Sequence, residues 1–557
     1  MRAINIRLGA VMESKAILAT VVALLCVSGS PAADAGDLTY EWYTAANNGD
    51  LIPGTGKLFN SYNQPAVNKN GMVVFRARSR GGQGQPEHGI YVRDLDEFGP
   101  IQTIFRRMGT VPQPNNTTYG PGKEPARFNE FPSVPRIDSG SDTIATRGQS
   151  QPVYEFTVDG AATRLGTAGV YTNPQGVPTT GASMLGIVPG FEYFQVPVPD
   201  LPRVTRFDQF PGSPAVTERN TIAFKGNFTV DGVGKTGVFY RDVVAKGGVA
   251  PVELVASSYT LIPGTAIPFG STAPPSAAGK YVVFAGYDNE EHPTAGGIYR
   301  ARLGNKPIKL EKVVTIGDRV PGENSATFKT FGEAVSLSSN GRHVLFWGSW
   351  GEDTFPVAMN CPDEGNAAVI AYCKEQTARS PVRYVPVHQG FFLRDMQLGT
   401  TVPIAKTDTH FKSFLYFNFS GRAPGVGGGE EGGEETEELA RWRTAAFGAV
   451  SGNGTPSVSA FKVRTAAGVD GVYLREVLPS KPGEVMPLLT VGMPAATVDP
   501  EAPAGALITA LGIERDGFRG QWLALSVSML AAGGEAEDTG WAGIYVARFF
   551  DDESLTP

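Results

Sequence analysis

One signature recurs along this chain and limits what it can fold into: a glycine, an apolar residue, then an aromatic. It stands at Gly89-Ile90-Tyr91, Gly169-Val170-Tyr171, Gly237-Val238-Phe239, Gly297-Ile298-Tyr299, Gly390-Phe391-Phe392, Gly471-Val472-Tyr473 and Gly543-Ile544-Tyr545. That makes seven copies, 60 to 93 residues apart. In four of them an arginine and an acid follow: Arg93-Asp94, Arg241-Asp242, Arg394-Asp395 and Arg475-Glu476. These pairs read as blade-edge salt bridges or strand-end caps, with a ring of ligand contacts as the lesser alternative. A period of this length, kept in order, marks a repeat architecture rather than a string of unrelated domains.

Upstream of most copies lies a turn and a second apolar run. Asn68-Lys69-Asn70-Gly71 leads into Met72-Val73-Val74-Phe75, Asn340-Gly341 into His343-Val344-Leu345-Phe346, and Asn453-Gly454 into Val458-Ser459-Ala460-Phe461. Asn-Gly between β-rich runs is a strong hairpin signal, because both residues tolerate positive φ. Downstream a further apolar strand ends in Pro-Gly, as in Val320-Pro321-Gly322, Ile262-Pro263-Gly264 and Val188-Pro189-Gly190. Each repeat therefore reads as four short antiparallel strands. Runs such as Met72–Phe75 are apolar on both faces and need a neighbouring sheet on each side.

Composition agrees with an all-β chain. Gly 69 and Pro 42 supply frequent reversals, while 41% hydrophobic and 10% aromatic residues supply a large core. The ends decide between an open array and a ring. The last copy stops after Gly543–Arg548 without its fourth strand, and the segment beginning Leu38-Thr39-Tyr40-Glu41-Trp42-Tyr43 resembles the missing piece. The expected fold is a seven-bladed β-propeller of four-stranded antiparallel blades over 36–550, closed by the N-terminal strand joining the last blade, with 551–557 a short tail. A closed ring removes the exposed edges that an open stack would have to cap. Six or eight blades are the alternatives, since the second and seventh copies are the most divergent.

Residues 1–35 read as a signal peptide. Arg2, Arg7 and Lys15 precede the apolar run Ala16–Val27, and Ala33-Asp34-Ala35 offers a cleavage site before Gly36. Met1 and Met12 are both possible starts. The run is too short for a membrane anchor, which needs about 20 apolar residues, and Leu25 before Cys26 does not fit a lipoprotein site. Removing this segment takes away one net positive charge, leaving an acidic mature chain without a basic stripe. That argues against nucleic acid, and against a membrane once the signal is cleaved. In an oxidising compartment Cys361 and Cys373 are expected to pair as a structural disulfide, worth about 2–3 kcal/mol on the chain-entropy model; two free thiols are the alternative.

The motif Asn68-x-x-Gly71-x-x-Val74-Phe75 resembles the tandem NxxGxxAF repeats of secreted bacterial "choice-of-anchor" proteins, and its relatives cover most of the mature chain. Later copies depart from it, with Asn220 in place of the glycine in the third and an extra residue in the fourth and fifth. The resemblance implies a repeat-built secreted protein and assigns no activity. Members carry a C-terminal sorting anchor, whereas Phe549-Phe550-Asp551-Asp552 leads into no apolar tail, so a secreted or periplasmic protein is expected.

Signatures of chemistry are missing. No G-x-S-x-G elbow, H-E-x-x-H or Walker loop occurs. The five histidines, His88, His292, His343, His388 and His410, do not recur in register. Asp94-Leu95-Asp96-Glu97 lacks the offsets of a calcium loop and reads as a solvated turn. Two insertions stand out: 350–386, holding both cysteines, and 421–438, Gly-rich with six glutamates. The first reads as a decorated surface loop or a ligand-covering flap, the second as a solvated excursion. No catalytic residue, metal ligand or cofactor is assigned. The expected function is an exported non-catalytic binding or scaffold protein, monomeric, presenting loops to a glycan or protein ligand. The alternative is a secreted propeller enzyme acting on polysaccharide, as hydrolase or lyase, with residues gathered at the axis.

Overall fold

Each copy of the repeat folds into one antiparallel sheet, and seven sheets form the blades of a β-propeller. The computed structural model describes residues 38–550 except 82–85, 117–124, 152–153, 159, 166–167, 200, 245–248, 363–366, 422, 424–439, 453–456, 478–481 and 532–539. The expected signal segment, the tail 551–557, the Asn453-Gly454 turn and nearly all of the acidic insertion lie outside the described residues. In blade 1 the strands run in the order Phe59–Tyr62, Met72–Ser79, His88–Asp94, Gln102–Arg106. The central hairpins of blades 2 to 7 are Ile144–Gln151 with Ala168–Thr172, Thr221–Val230 with Val233–Asp242, Tyr281–Tyr287 with Gly296–Arg302, His343–Ala358 with Val382–Asp395, Ser457–Thr465 with Asp470–Val477, and Trp522–Ala531 with Gly540–Phe550. The divergent second and seventh copies are therefore full blades.

The innermost segments make the circle visible. Ala66–Val67, Arg136–Ile137, Ala215–Thr217, Ser276–Ala278, Ser336–Leu337, Gly448–Val450 and Phe518–Arg519 each touch the next, and the last touches the first. On the outside, Thr39–Asn47 is the fourth strand of blade 7, beside Gly540–Phe550. Just past that strand, the Asn48 N–H donates to the Ala542 carbonyl at 3.1 Å. Arg93 of blade 1 grips the same strand, its Nη1 donating to the Thr44 and Ala45 carbonyls at 3.3 and 3.2 Å. Asp499 is fully buried and accepts from Tyr545 Oη and Trp541 Nε1, both at 2.7 Å, and from Asn47 Nδ2 at 3.1 Å.

The repeated residues have distinct physical jobs. In six blades the pairing of the third strand with the outer strand slips by one residue between the apolar and aromatic members of the motif, as between Ile298 and Tyr299. Such a bulge brings the outer backbone close to the motif glycine. A Cβ at Gly297 would overlap the Val314 carbonyl, and one at Gly89 the Phe105 carbonyl. The glycine is there for space, not for its φ.

The motif aromatic lies opposite the phenylalanine of the second strand, as Tyr91 faces Phe75 and Tyr299 faces Phe284. An inner-strand phenylalanine then meets it edge-on. Phe59–Tyr91, Phe128–Tyr171, Phe207–Phe239, Phe328–Phe392 and Phe411–Tyr473 have centroids 4.8 to 5.0 Å apart, and Phe269–Tyr299 5.4 Å. Edge-to-face pairs add roughly 0.5–1.5 kcal/mol each beyond burial.

The turn asparagine also has a mechanism: Asn68 Oδ1 accepts the N–H groups of Asn70 and Met72, at 3.0 and 2.9 Å, while Gly71 takes φ +88°. Ser338 and Ser451 do the same work in blades 5 and 6, accepting from His343 N and Val458 N. In blade 3, where glycine is missing, Glu218 and Arg219 carry the positive φ instead.

Three of the four arginines after the motif, Arg93, Arg241 and Arg475, are carbonyl caps that link neighbouring blades, whereas Arg394 donates to Thr401 Oγ1 within its own blade. Arg241 donates to Ala250, Thr180 and Gly181 carbonyls, and Arg475 to Gly483, Pro403 and Ile404. In each case two acceptors belong to the outer strand of the preceding blade, the same grip that Arg93 applies to Thr44 and Ala45. Gly297→Ala is expected to destabilise the protein by roughly 1–3 kcal/mol or more, read from urea unfolding. Gly81→Ala, which points into open space, is the comparison expected to change little.

Candidate functional site

The first insertion meets the hairpin of blade 6 that flanks the second. Strands of blade 5 run on past the ring to carry the helix Ala367–Arg379, and Cys361 is bonded to Cys373 with a Cα–Cα distance of 5.9 Å. In blade 6 the inner strand is interrupted by the hairpin Leu415–Ser420 with Arg441–Ala446. Cys373, Phe419 and Ala440 are buried together, flanked by Tyr372 and Trp442, and Trp442 Nε1 donates to Thr377 Oγ1 at 3.3 Å. The disulfide thus closes a small core that joins the first insertion to the blade 6 hairpin. Arg441 carries this hairpin to blade 4, pairing with Glu290 at 2.7 Å.

Glu290 stands on the rim of a cleft of about 980 Å³ over blades 3 and 4. The hairpin of blade 3 gives one wall through Lys225, Asn227 and Thr236; the connector from blade 2 gives the other through Gln195, Arg203 and Asp208. That connector is fixed from below. Ser183 Oγ caps the turn Met184–Ile187 by accepting the Leu185 N–H, and Phe194, Val196 and Val198 are buried in the blade core. The motif arginine Arg241 lies against the Tyr193 and Phe194 rings at 5.0 and 4.8 Å, and burial pushes its pKa down to about 10. The repeat itself therefore anchors the cleft wall.

Within the cleft Asp208 pairs with Arg206 at 3.8 Å and accepts Thr229 Oγ1 at 2.8 Å. Glu192 accepts the Gly190 N–H at 2.9 Å, which, with its own N–H, holds its carboxyl below the usual range. The Asn227 backbone bridges to Gln209, yet its side-chain Oδ1 is buried without a donor.

The ring axis is different in kind. Arg136 of blade 2 meets Glu514 at 2.6 Å and Asp516 at 3.1 Å, and Arg519 pairs with Asp516. Burial opposes the Asp516 anion, but Arg519, Arg136 and Arg515 hold its carboxyl below the usual range; burial pushes Arg515 down to about 10. A carboxylate with shifted titration, Asp516, does lie here. All of these side chains are nearly inaccessible, so the cluster plugs the ring. Removing one partner of a buried ion pair strands the other, so Arg136→Met is expected to cost roughly 3–5 kcal/mol by urea unfolding. A change below about 1 kcal/mol would contradict that role.

One serine, histidine and aspartate stand in sequence at the junction of blades 5 and 6. Ser457 Oγ is 3.0 Å from His343 Nδ1, and His343 Nε2 is 3.5 Å from Asp395. A hydrolase needs this order with the serine open to substrate. Ser457 is 2% exposed, and Asp395 grips Arg342 at 2.9 and 3.0 Å, so the trio clasps two blades. Burial pulls the His343 pKa below its ordinary value, partly offset by Asp395. Its folded pKa being depressed, its contribution is complete above the unfolded value of about 6.5 and is lost as pH falls. Unfolding free energy is expected to drop from pH ~6.5 toward 5, with a smaller drop in His343→Gln; identical slopes would contradict the assignment.

The other histidines are scattered. His88 is buried beside Phe131 and Glu130, His388 stacks on Trp350, and His292 and His410 lie in exposed turns. Asp94 accepts the N–H groups of Asp96 and Glu97, forming the expected turn; Asp96 also pairs with Arg548 across the closure at 3.3 Å. Among the described residues no three His, Cys, Asp or Glu side chains converge in metal-binding geometry.

No protein-family model matches the chain, and no curated protein matches it. Among solved structures it is similar to AtxE2 isopeptidase in its apo form, at 8% identity and TM-score 0.21 over 78% of this chain and 58% of that one. It is similar also to the periplasmic gluconolactonase PpgL of Pseudomonas aeruginosa, at 12% identity and TM-score 0.26 over 77% and 95%. The subtype N11 neuraminidase-like protein of a flat-faced bat isolate (H18N11) matches at 12% identity and TM-score 0.27 over 88% and 97%. The assignment of a seven-bladed ring rests on the chain's own strand order.

Proposed function

We propose that the protein is an exported, non-catalytic binding protein of the periplasm or cell exterior that holds a glycan in the cleft over blades 3 and 4. The cleft carries this reading. Its volume lies at the upper end of the about 300–1,000 Å³ of small-ligand sites, and hydroxyl and amide side chains line it: Thr205, Thr229, Thr236, Ser271, Gln195 and Asn227. The buried Asn227 Oδ1 without a donor suits a ligand that brings hydroxyl groups, since an unpaired buried acceptor is costly. A protein partner would need a wider surface with an apolar centre.

Export is supported by the Cys361–Cys373 bond, which suits an oxidising compartment, and by the signal-like segment 1–35. Among the described residues no helix is long and apolar enough to cross a membrane. The Asn68–Phe75 motif supports placing the chain with the choice-of-anchor repeat proteins. The axial cluster is the observation that favours a polysaccharide-cleaving enzyme, but its carboxylates are committed to arginines. Gly234→Trp tests the reading, because that glycine lines the cleft with nothing within 4 Å of a Cβ. A glycan array followed by calorimetry is expected to find a ligand for the wild type, and the variant to bind it at least about tenfold more weakly with unchanged melting temperature. Binding unaffected by the tryptophan would move the site elsewhere.

A further inference from the structure

We infer that the ligand of the cleft is an acidic oligosaccharide of the uronic acid class, with a carboxylate seated between Lys225 and Arg203. This rests on the glycan reading and goes one step further, to the charge of the sugar. The mature chain is acidic overall, yet the cleft brings four cations, Arg203, Arg206, Lys225 and Lys235, against three carboxylates, Glu192, Asp208 and Glu290.

Each carboxylate is already held by the fold: Glu192 by the Gly190 N–H, Asp208 by Arg206 and Thr229, Glu290 by Arg441. Of the four cations only Arg206 is matched by a carboxylate in return among the described residues. Lys235 lies over the Tyr259 ring at 5.5 Å. Among the described residues neither Lys225 nor Arg203 has a carboxylate within ion-pair distance. An ammonium and a guanidinium free of partners on one cleft bind a carboxylate by charge-assisted hydrogen bonds, the guanidinium in bidentate fashion. Asn227, two residues from Lys225 on the same strand and facing the same cleft, offers a buried acceptor for a neighbouring hydroxyl. A carboxylate beside ring hydroxyls is the chemistry of a uronate.

The test is calorimetric titration of the mature protein with tetragalacturonate and with maltotetraose, in wild type, Lys225→Gln/Arg203→Gln, Lys225→Arg and Gly234→Trp. Wild type is expected to bind the acidic sugar at least about tenfold more tightly than the neutral one. It should lose most of that preference between roughly 50 and 500 mM salt. The double glutamine variant should bind both sugars alike, Lys225→Arg should keep the preference, and Gly234→Trp should bind neither. Equal binding of both sugars by wild type, unchanged in the glutamine variant but lost in Gly234→Trp, overturns the charge assignment and leaves the glycan site standing. Acidic-sugar binding that persists in Gly234→Trp also overturns it, since the charges would then lie outside the cleft. Binding of neither sugar by wild type, with other glycans captured on the array, overturns the uronate class; capture of no glycan at all overturns the reading beneath it.

Discussion

The strand Thr39–Asn47 hydrogen-bonded beside Gly540–Phe550 turns a row of seven sheets into a ring. Blades that are apolar on both faces are stable only with neighbours on both sides, and a linear stack would leave two such faces bare. The chain solves this by giving the fourth strand of its last blade to Thr39–Asn47. Three groups hold that strand: the backbone of blade 7, the Arg93 cap reaching from blade 1, and Asp499 beneath Asn47. Arg548–Asp96 adds an ion pair over the same seam.

Around the ring the same physics is repeated with substitutions. A bulge demands glycine, and the bulge lets an aromatic turn inward to meet two phenylalanines. In blades 1, 3 and 6 the following arginine ties carbonyls of the preceding blade. Where one component is absent, another takes over its task, as Ser338 and Ser451 do for Asn68. Blade 2 lacks the second-strand phenylalanine, yet keeps Phe128 edge-on to Tyr171. The network tolerates divergence because the geometry, rather than any single residue, is repeated.

Much of this was legible in the residues. The Gly–apolar–aromatic triplets and Asn-Gly turns are local, so their spacing survives in the sequence, and the missing final strand could be matched to Leu38–Tyr43. The inner-strand phenylalanines were not recognised as part of the repeat, because loops of variable length, and in blade 6 a whole hairpin, separate them from the turns. The helix Ala367–Arg379 was missed because only packing against Phe419 and Trp442 gives it a partner. The cleft was invisible for a deeper reason. Lys225 comes from a strand of blade 3, Arg203 from the connector after blade 2 and Glu290 from a turn of blade 4; only the ring brings them together, and each alone reads as a surface charge. The axial plug is equally non-local, with Arg136 and Asp516 meeting from opposite ends of the chain.

The functional reading depends on the ring because the cleft is built from adjoining blades, with the motif arginine Arg241 anchoring its wall. Closure is therefore the claim to examine first, by hydrogen–deuterium exchange of the intact protein. If Thr39–Asn47 is an integral strand, its amides exchange as slowly as those of its partner Gly540–Phe550, and both are released together in global unfolding. Rapid exchange of Thr39–Asn47 while Gly540–Phe550 remains protected would show a segment lying loosely on an open array and would contradict the ring.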